Sequence, residues 1–291
     1  MKAYKIIVLA KQVPDTRNVG KDAMKADGTV NRAVLPAIFN PEDLNALELA
    51  LHIKDQYAGT TVKILTMGPG RAADIIREGL FRGADGGILL TDRAFAGSDT
   101  LATSYALGQA LKKMGKIDLI IAGRQAIDGD TAQVGPQVAE KLNLLQVTYV
   151  EEIKELKDDT IVLKRRLDRG VETVKCQLPL VITVNGTAPE CRTRNAKLLM
   201  HYKHAKTVSE LQKESEAYIS NDLPDLNIPE WTVNDIDVDT TQLGLSGSPT
   251  KVKTIENVVL QAKDSKVISG ANADAEIENM MIDLIKSHTI G

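Results

Sequence analysis

Three glycines and a run of small polar side chains, GRQAIDGDTAQVG over residues 123–135, have the makings of an anion site. The stretch follows a short apolar strand at 118–122 and leads into a helix whose apolar positions Val134, Val138 and Leu142 recur at helical spacing. Asp130 or Thr131 is placed to cap that helix. Unpaired N–H groups at a helix start, with the positive end of its dipole, suit a phosphate. Gly123, Gly129 and Gly135 allow close backbone approach, and Arg124 offers a cation where a phosphate loop would use lysine. A strand–loop–helix step is equally the shape of an ordinary α/β turn, but the density of small hydrogen-bonding residues points to a nucleotide. Two other groups stand out. Asn40-Pro41-Glu42-Asp43 opens a helix with a cap, a proline at the first position and acids in the first turn, which by itself explains those residues. Asp99 precedes Thr100 and Thr103, which lie one turn apart on one helix face; the plain alternative is that Asp99 caps and the threonines meet solvent.

Stepped strands and helices are needed to position these groups. Residues 4–10, 61–66, 86–91 and 118–122 read as buried parallel strands, continuous and rich in β-branched side chains. Helices are expected at 41–53, with Leu44, Leu47, Leu51 and Ile53 inward, at about 71–82, and at 101–114. Such alternation implies a parallel sheet with helices on both faces, and ligands of such sheets lie beyond the carboxyl ends of the strands. Residues 16–39 read as an excursion with a turn at Asp27-Gly28. After 146 the pattern changes to four further strands with a hairpin turn at Asp168-Arg169-Gly170, an antiparallel addition at the sheet edge from which 180–184 returns inside. Residues 192–206 carry five Lys/Arg and no acid, whereas 208–240 carry nine Asp/Glu and one Lys in an unperiodic stretch that has to lie along something else. Ile277, Met280, Met281, Leu284 and Ile285 mark a terminal amphipathic helix. The expected division is a nucleotide-binding domain at 1–206 and a C-terminal arm at 207–291.

Composition narrows the class. The chain has 291 residues, 43% hydrophobic, with a net charge of -3, so no global charge draws it to nucleic acid or to a membrane surface. No apolar run reaches the ~18 residues of a membrane span, and the first strand is too short and too early for a signal peptide. Cys176 and Cys191 have no metal-ligand spacing, and the four histidines are scattered. A nucleophile triad, paired carboxylates on one helix face, a Walker loop and a GxGxxG after the first strand are all missing from the sequence. The expectation is a cytoplasmic α/β protein that does not act through its own side chains.

Several long motifs in order make the chain similar to a known family. GRQAIDGDTAQVGP at 123–136, KQVPD at 11–15, NPEDLNALE at 40–48 and LTMGP at 65–69 resemble the signature of the beta (small) subunit of electron-transferring flavoproteins. The resemblance covers about residues 1–205 and includes GLSGSPT at 244–250. It implies a three-layer, doubly wound, mostly parallel α/β fold of the adenine-nucleotide alpha-hydrolase type, with an antiparallel edge addition and a C-terminal extension. It also implies a heterodimer whose alpha subunit carries FAD. The beta subunit of the housekeeping branch holds AMP; that of the electron-bifurcating branch holds a second FAD that takes a hydride from NADH. DRAFAGSDTLATS at 92–104 looks like the bifurcating pattern.

By position, the resemblance assigns Ala10, Asn40 and Asp43 to the adenosine, with Met67 beside it. It wraps the phosphates in Gly123, Arg124, Gln125, Asp128, Gly129, Asp130, Thr131, Ala132, Gln133, Val134 and Gly135, and puts Phe95, Asp99, Thr100 and Thr103 at the isoalloxazine end. Arg192, Arg194, Ala196, Lys197, Leu198, Leu199 and Met200 occupy the place of the family's docking loop for an acyl-CoA-dehydrogenase-type flavoenzyme. That loop departs from the family: Glu190-Cys191-Arg192-Thr193 stands where members read Glu-Pro-Arg and an aromatic, and Ala196 aligns with the anchor leucine. The implied partners are the alpha subunit, the dehydrogenase, NADH and ferredoxin, with no nucleic acid and no membrane insertion. Two alternatives remain: an AMP-holding subunit without bifurcation, and a nucleotide-binding sensor without a redox role.

Overall fold

The computed structural model describes residues 2–15, 36–214, 223–250, 268, 272–287 and 289–290. The elements run in chain order as β1 (Lys5–Leu9), β2 (Gln12–Pro14), β3 (Ala37–Phe39), α1 (Pro41–Gln56), β4 (Thr61–Met67), α2 (Ala73–Leu80) and β5 (Gly86–Leu90). They continue as α3 (Thr100–Lys113), β6 (Leu119–Gly123), α4 (Val134–Leu142), β7 (Leu145–Lys157), β8 (Thr160–Leu167), β9 (Gly170–Gln177) and β10 (Leu180–Val184). Last come α5 (Ala196–Tyr202), β11 (Lys206–Thr207), α6 (Val208–Glu214), β12 (Asn227–Ile228), β13 (Glu230–Trp231) and α7 (Ala273–Lys286). The turn expected at Asp27-Gly28 lies outside the described residues.

A nine-stranded sheet in the order β13-β5-β4-β1-β6-β10-β7-β8-β9 forms the middle layer. Strand pairs from β13 to β7 are parallel, and β7, β8 and β9 add on antiparallel. β10 returns between β6 and β7 as its continuous apolar run requires, buried at all five positions. Successive strand residues alternate faces: Ile6 and Val8 pack with α1 and α2 residues such as Leu47 and Ile76, whereas Ile7 and Leu9 pack with Leu107 of α3 and Val138 of α4. The result is a three-layer α/β fold. After β1 the chain winds outward through β4 and β5, then crosses back to β6 on the other side, leaving a crevice at the carboxyl ends of β1 and β6.

One compact unit runs Met1–Lys253 and a second runs Thr254–Gly291, so the boundary expected at 206/207 moves downstream. Sheet packing is the reason. Glu230–Trp231 adds a parallel strand to β5, Ile228 is buried in one core layer, and Ile236 and Leu243 are buried in the other. What the described part of the acidic stretch, at 227–240, lies along is its own sheet edge. In the second unit, α7 leaves Ile277, Met280, Met281 and Ile285 exposed. Among the described residues no helix is long and apolar enough to cross a membrane.

Candidate functional site

A cleft of about 700 Å³ opens at the carboxyl ends of the central strands, within the range of small-molecule sites. Leu9, Ala10, Leu65, Met67, Ala122 and Gly123 line it near the sheet, and residues 92–93, 95–100, 103 and 129–135 line it farther out.

The first turn of α1 ties the cleft together. Asn40 sits at the N-cap position but makes no side-chain cap. Its amide instead donates to Gln125 O at 2.9 Å and accepts from Ile127 N at 3.1 Å, fully buried. Glu42 accepts from Gln125 N at 2.9 Å and from the Arg124 guanidinium at 3.0 Å. The Asp43 carboxylate accepts from Lys11 N at 2.8 Å and Gly123 N at 2.9 Å, joining the ends of β1 and β6. Burial pushes its carboxyl up to about 7, against the N–H groups of Lys11 and Gly123 and the Asn40 amide, which favour the anion. The adenosine contacts expected of Asn40 and Asp43 are thus modified: Asp43 lines the cleft with both oxygens engaged, and Asn40 stands behind the lining, shaping the loop.

Beyond Gly123 the loop turns away from helical geometry. Asp130 and Ala132 have φ of 50° and 52°, and Gln125 donates to Asp130 at 2.9 Å. The helix starts only at Val134, with Gln133 as an uncapped N-cap residue, which corrects the expected caps Asp130 and Thr131. Among the described residues no acceptor takes the N–H groups of Thr131, Ala132, Gln133, Val134 and Gly135. Five successive free N–H groups at a dipole's positive end form a cradle for a phosphate. Two glycines are required by the protein rather than by a ligand. A Cβ on Gly123 would lie 2.3 Å from Asp43 Oδ1, and one on Gly135 would lie 2.5 Å from Thr183 Cγ2; one on Gly129 would meet nothing within 4 Å.

Arg124 is not a free phosphate ligand, because Glu42 holds it and its guanidinium lies 5.7 Å from the Tyr149 ring centre. A second cation on the lining, likewise paired within the chain and missed by the sequence reading, is Lys11. It lines the cleft and pairs at 2.7 Å with Asp128, which stands outside the lining. Its signal was its position, first after the opening strand.

The far wall is built from residues 92–103. Phe95 is buried in it. Asp99 Oδ1 caps α3 by accepting from Leu101 N and Ala102 N at 2.9 and 3.0 Å, and Oδ2 accepts from Thr250 N and Oγ1 at 3.1 and 2.7 Å. Partial burial works against that carboxylate, but the Thr250 hydroxyl and the N–H groups of Ala102, Thr250 and Leu101 outweigh it and hold its pKa below the ordinary carboxylate value. Asp99 is therefore a cap and a tie, with no oxygen left over for a flavin. The Thr100 hydroxyl donates to Gln133 Oε1 at 2.9 Å, linking the wall to the cradle. Thr103, one turn on, lines the cleft, and among the described residues its hydroxyl has no partner. Ser248 and Thr250, also missed by the sequence reading as site residues, secure this wall from 150 positions away. Among the described residues no cluster of His, Cys, Asp and Glu fits a metal.

The expected docking loop lies elsewhere. Arg192 pairs with Glu48 and Asp55 at 2.9 and 2.8 Å, and Arg194 with Glu78 at 2.6 Å, so both arginines are neutralised within the chain. Asn195 caps α5 by accepting from Lys197 N and Leu198 N. Ala196 and Lys197 are exposed, Leu198 and Leu199 half-buried, and Met200 is 60% exposed. Met200 is the exposed apolar side chain of the segment.

Residues 27–212 match the electron transfer flavoprotein domain family. This chain belongs to that family. The electron transfer flavoprotein subunit beta of Clostridium acetobutylicum is 44% identical over 248 residues, covering 85% of this chain and 86% of the relative. The caffeyl-CoA reductase-Etf complex subunit CarD of Acetobacterium woodii is 43% identical over the same shares. The Megasphaera elsdenii electron transfer flavoprotein subunit beta is 39% identical over 98% of this chain and 99% of its own length. Within this electron transfer flavoprotein beta-type chain, the cleft sits on the motifs that carry the family likeness, 40–48, 65–69 and 123–136.

Proposed function

We propose that this chain is the FAD-binding subunit of a cytoplasmic, electron-bifurcating flavoprotein heterodimer. The observation that carries the reading is the extent of the cleft. It continues past the phosphate cradle into a compartment bounded by Phe95, Thr100, Thr103 and Leu107, more room than a mononucleotide fills. The chemistry supplied by FAD bound there is hydride acceptance from NADH and one-electron delivery to a low-potential acceptor such as ferredoxin and, through the alpha subunit's FAD, to an acyl-CoA-dehydrogenase-type enzyme. The chain's own residues bind and position. N–H groups 131–135 hold the phosphates, Ala10 and Met67 flank the adenosine end, and the Thr103 hydroxyl is available at the far end. The name of the Acetobacterium relative, a subunit of a caffeyl-CoA reductase complex, favours an acyl-CoA-type acceptor.

Extraction of the natively purified heterodimer is the test: two FAD per heterodimer and no AMP are expected. One FAD with one AMP overturns the reading in favour of an AMP-holding subunit.

Two surfaces serve partners in this reading. The exposed apolar face of α7, a 14-residue helix that would be marginal alone in water, packs on the alpha subunit. Met200 anchors the dehydrogenase. Met200→Asp is expected to slow reduction of the dehydrogenase by about tenfold or more, the size of one lost apolar anchor, and to leave NADH-dependent flavin reduction unchanged. Equal loss of both rates would place Met200 in the fold rather than at a docking surface.

A further inference from the structure

The far wall of the cleft does not stand by itself. Ser248, buried to 3% exposure, accepts from Asp99 N at 2.8 Å and donates to Gly244 O at 2.6 Å. Thr250 donates twice to Asp99 Oδ2, from its N–H at 3.1 Å and its hydroxyl at 2.7 Å. The two segments approach closely here, Gly244 against backbone and Gly97 against a side chain, both at positive φ. A Cβ on Gly97 (φ 75°) would lie 2.7 Å from Leu245 side-chain carbons, and one on Gly244 (φ 54°) would lie 2.4 Å from Ala94 O. Next to Asp99, Thr100 reaches Gln133 at the foot of the phosphate cradle. A continuous series of hydrogen bonds thus runs Thr250–Asp99, through the peptide to Thr100, and on to Gln133.

We propose that segment 244–250 is a brace and that Ser248 and Thr250 are positioning residues that set how firmly the cleft holds a ligand reaching beyond its phosphate cradle. The inference rests on the cofactor reading above and deepens it, because it assigns selectivity for a dinucleotide over a mononucleotide to residues that line no part of the cleft. The near half is joined by Asp43, Asn40 and Glu42, which make no bond to the brace. Loosening Asp99 therefore moves the 94–103 wall, while Asn40, Glu42 and Asp43 keep 123–127 in place; the Thr100–Gln133 side-chain bond links the wall to the cradle.

The test uses the heterodimer stripped of nucleotide, with FAD and AMP as probes. Thr250 is exposed, so Thr250→Val folds while losing the hydroxyl, and Thr250→Ser keeps it. Thr250→Val is expected to weaken FAD binding by roughly tenfold, the size of one charge-assisted hydrogen bond, and AMP binding by less than about twofold. Thr250→Ser should match the wild type, and Ser248→Ala should follow Thr250→Val. In hydrogen exchange, the amides of 97–102 should open faster in Thr250→Val and those of 123–127, held by Asn40, Glu42 and Asp43, should not change. Equal losses for both ligands, or identical behaviour of the valine and serine variants, would overturn the brace. A wild type that takes AMP and refuses FAD overturns the cofactor reading alone; the brace then stands or falls on exchange at 97–102.

Discussion

Gly123→Ala is expected to destabilise the fold and abolish ligand binding in the cleft, while Gly129→Ala, a few residues along the same loop, leaves the fold intact. The methyl group on residue 123 would sit 2.3 Å from Asp43 Oδ1 and 2.8 Å from both Asp43 N and Glu42 C. Two of those atoms are backbone at the first turn of α1, so no rotamer change relieves the contact. Either α1 moves off the end of β6 or the strand end bends away. Overpacking of that kind costs about 3 kcal/mol. Displacement also breaks the Gly123 N–Asp43 hydrogen bond and the grip of Glu42 on Gln125, and with them the course of the loop that leads to the cradle. Gly129 has open space around its Cβ position and no positive φ. Denaturant unfolding and calorimetric titration with AMP and with FAD check both variants. Near-wild-type affinity in Gly123→Ala would show that the α1–β6 junction does not govern the cleft.

The second large effect is one of pH. Asp43 has its carboxyl raised from 3.8 to about 7 by burial, with the N–H groups of Lys11 and Gly123 and the Asn40 amide opposing. A folded pKa above the unfolded one means that this group's contribution to stability is complete below about pH 3.8 and is lost as pH rises through about 7. The full span is on the order of 4 kcal/mol. Asp43→Asn removes the titration, and its amide cannot accept from both Lys11 N and Gly123 N, which leaves one buried donor unmatched at a cost of about 1–3 kcal/mol. Wild-type stability should therefore decline relative to Asp43→Asn as pH rises from 5 through about 7 and level off toward pH 9. Urea midpoints across that range decide it. Parallel curves would mean that Asp43 is ionised throughout and that its two backbone donors outweigh burial.

Much of the architecture was legible in the chain because parallel strands buried on both faces leave an unmistakable record. Runs such as KIIVL and LIIAG, short, β-branched and without alternation, fit strands covered on both faces. The phosphate cradle was legible as a place but not as a mechanism. Small residues at 123–135 announced a close-fitting loop, yet they did not show that Asp130 and Ala132 adopt left-handed backbone or that the helix begins uncapped at Val134. The course of the loop before them is held by partners that arrive from residues 40–43.

Local sequence by itself determined the strand–helix alternation, the proline-started α1, the Asp99 cap of α3 and the glycine-bearing loop, since each follows from side-chain periodicity or from hydrogen bonds that span three residues. Tertiary structure alone decided what the polar groups are used for. Asn40, Glu42 and Asp43 look like helix-start residues and instead hold two loops; Arg124 looks like a phosphate cation and is neutralised by Glu42; Ser248 and Thr250 look like tail and secure the cleft wall. The physical reason is the same in each case. A buried carboxylate, amide or hydroxyl has to find its partner wherever the fold brings one within about 3 Å, and here that partner is as far away in the chain as Asp99 is from Thr250.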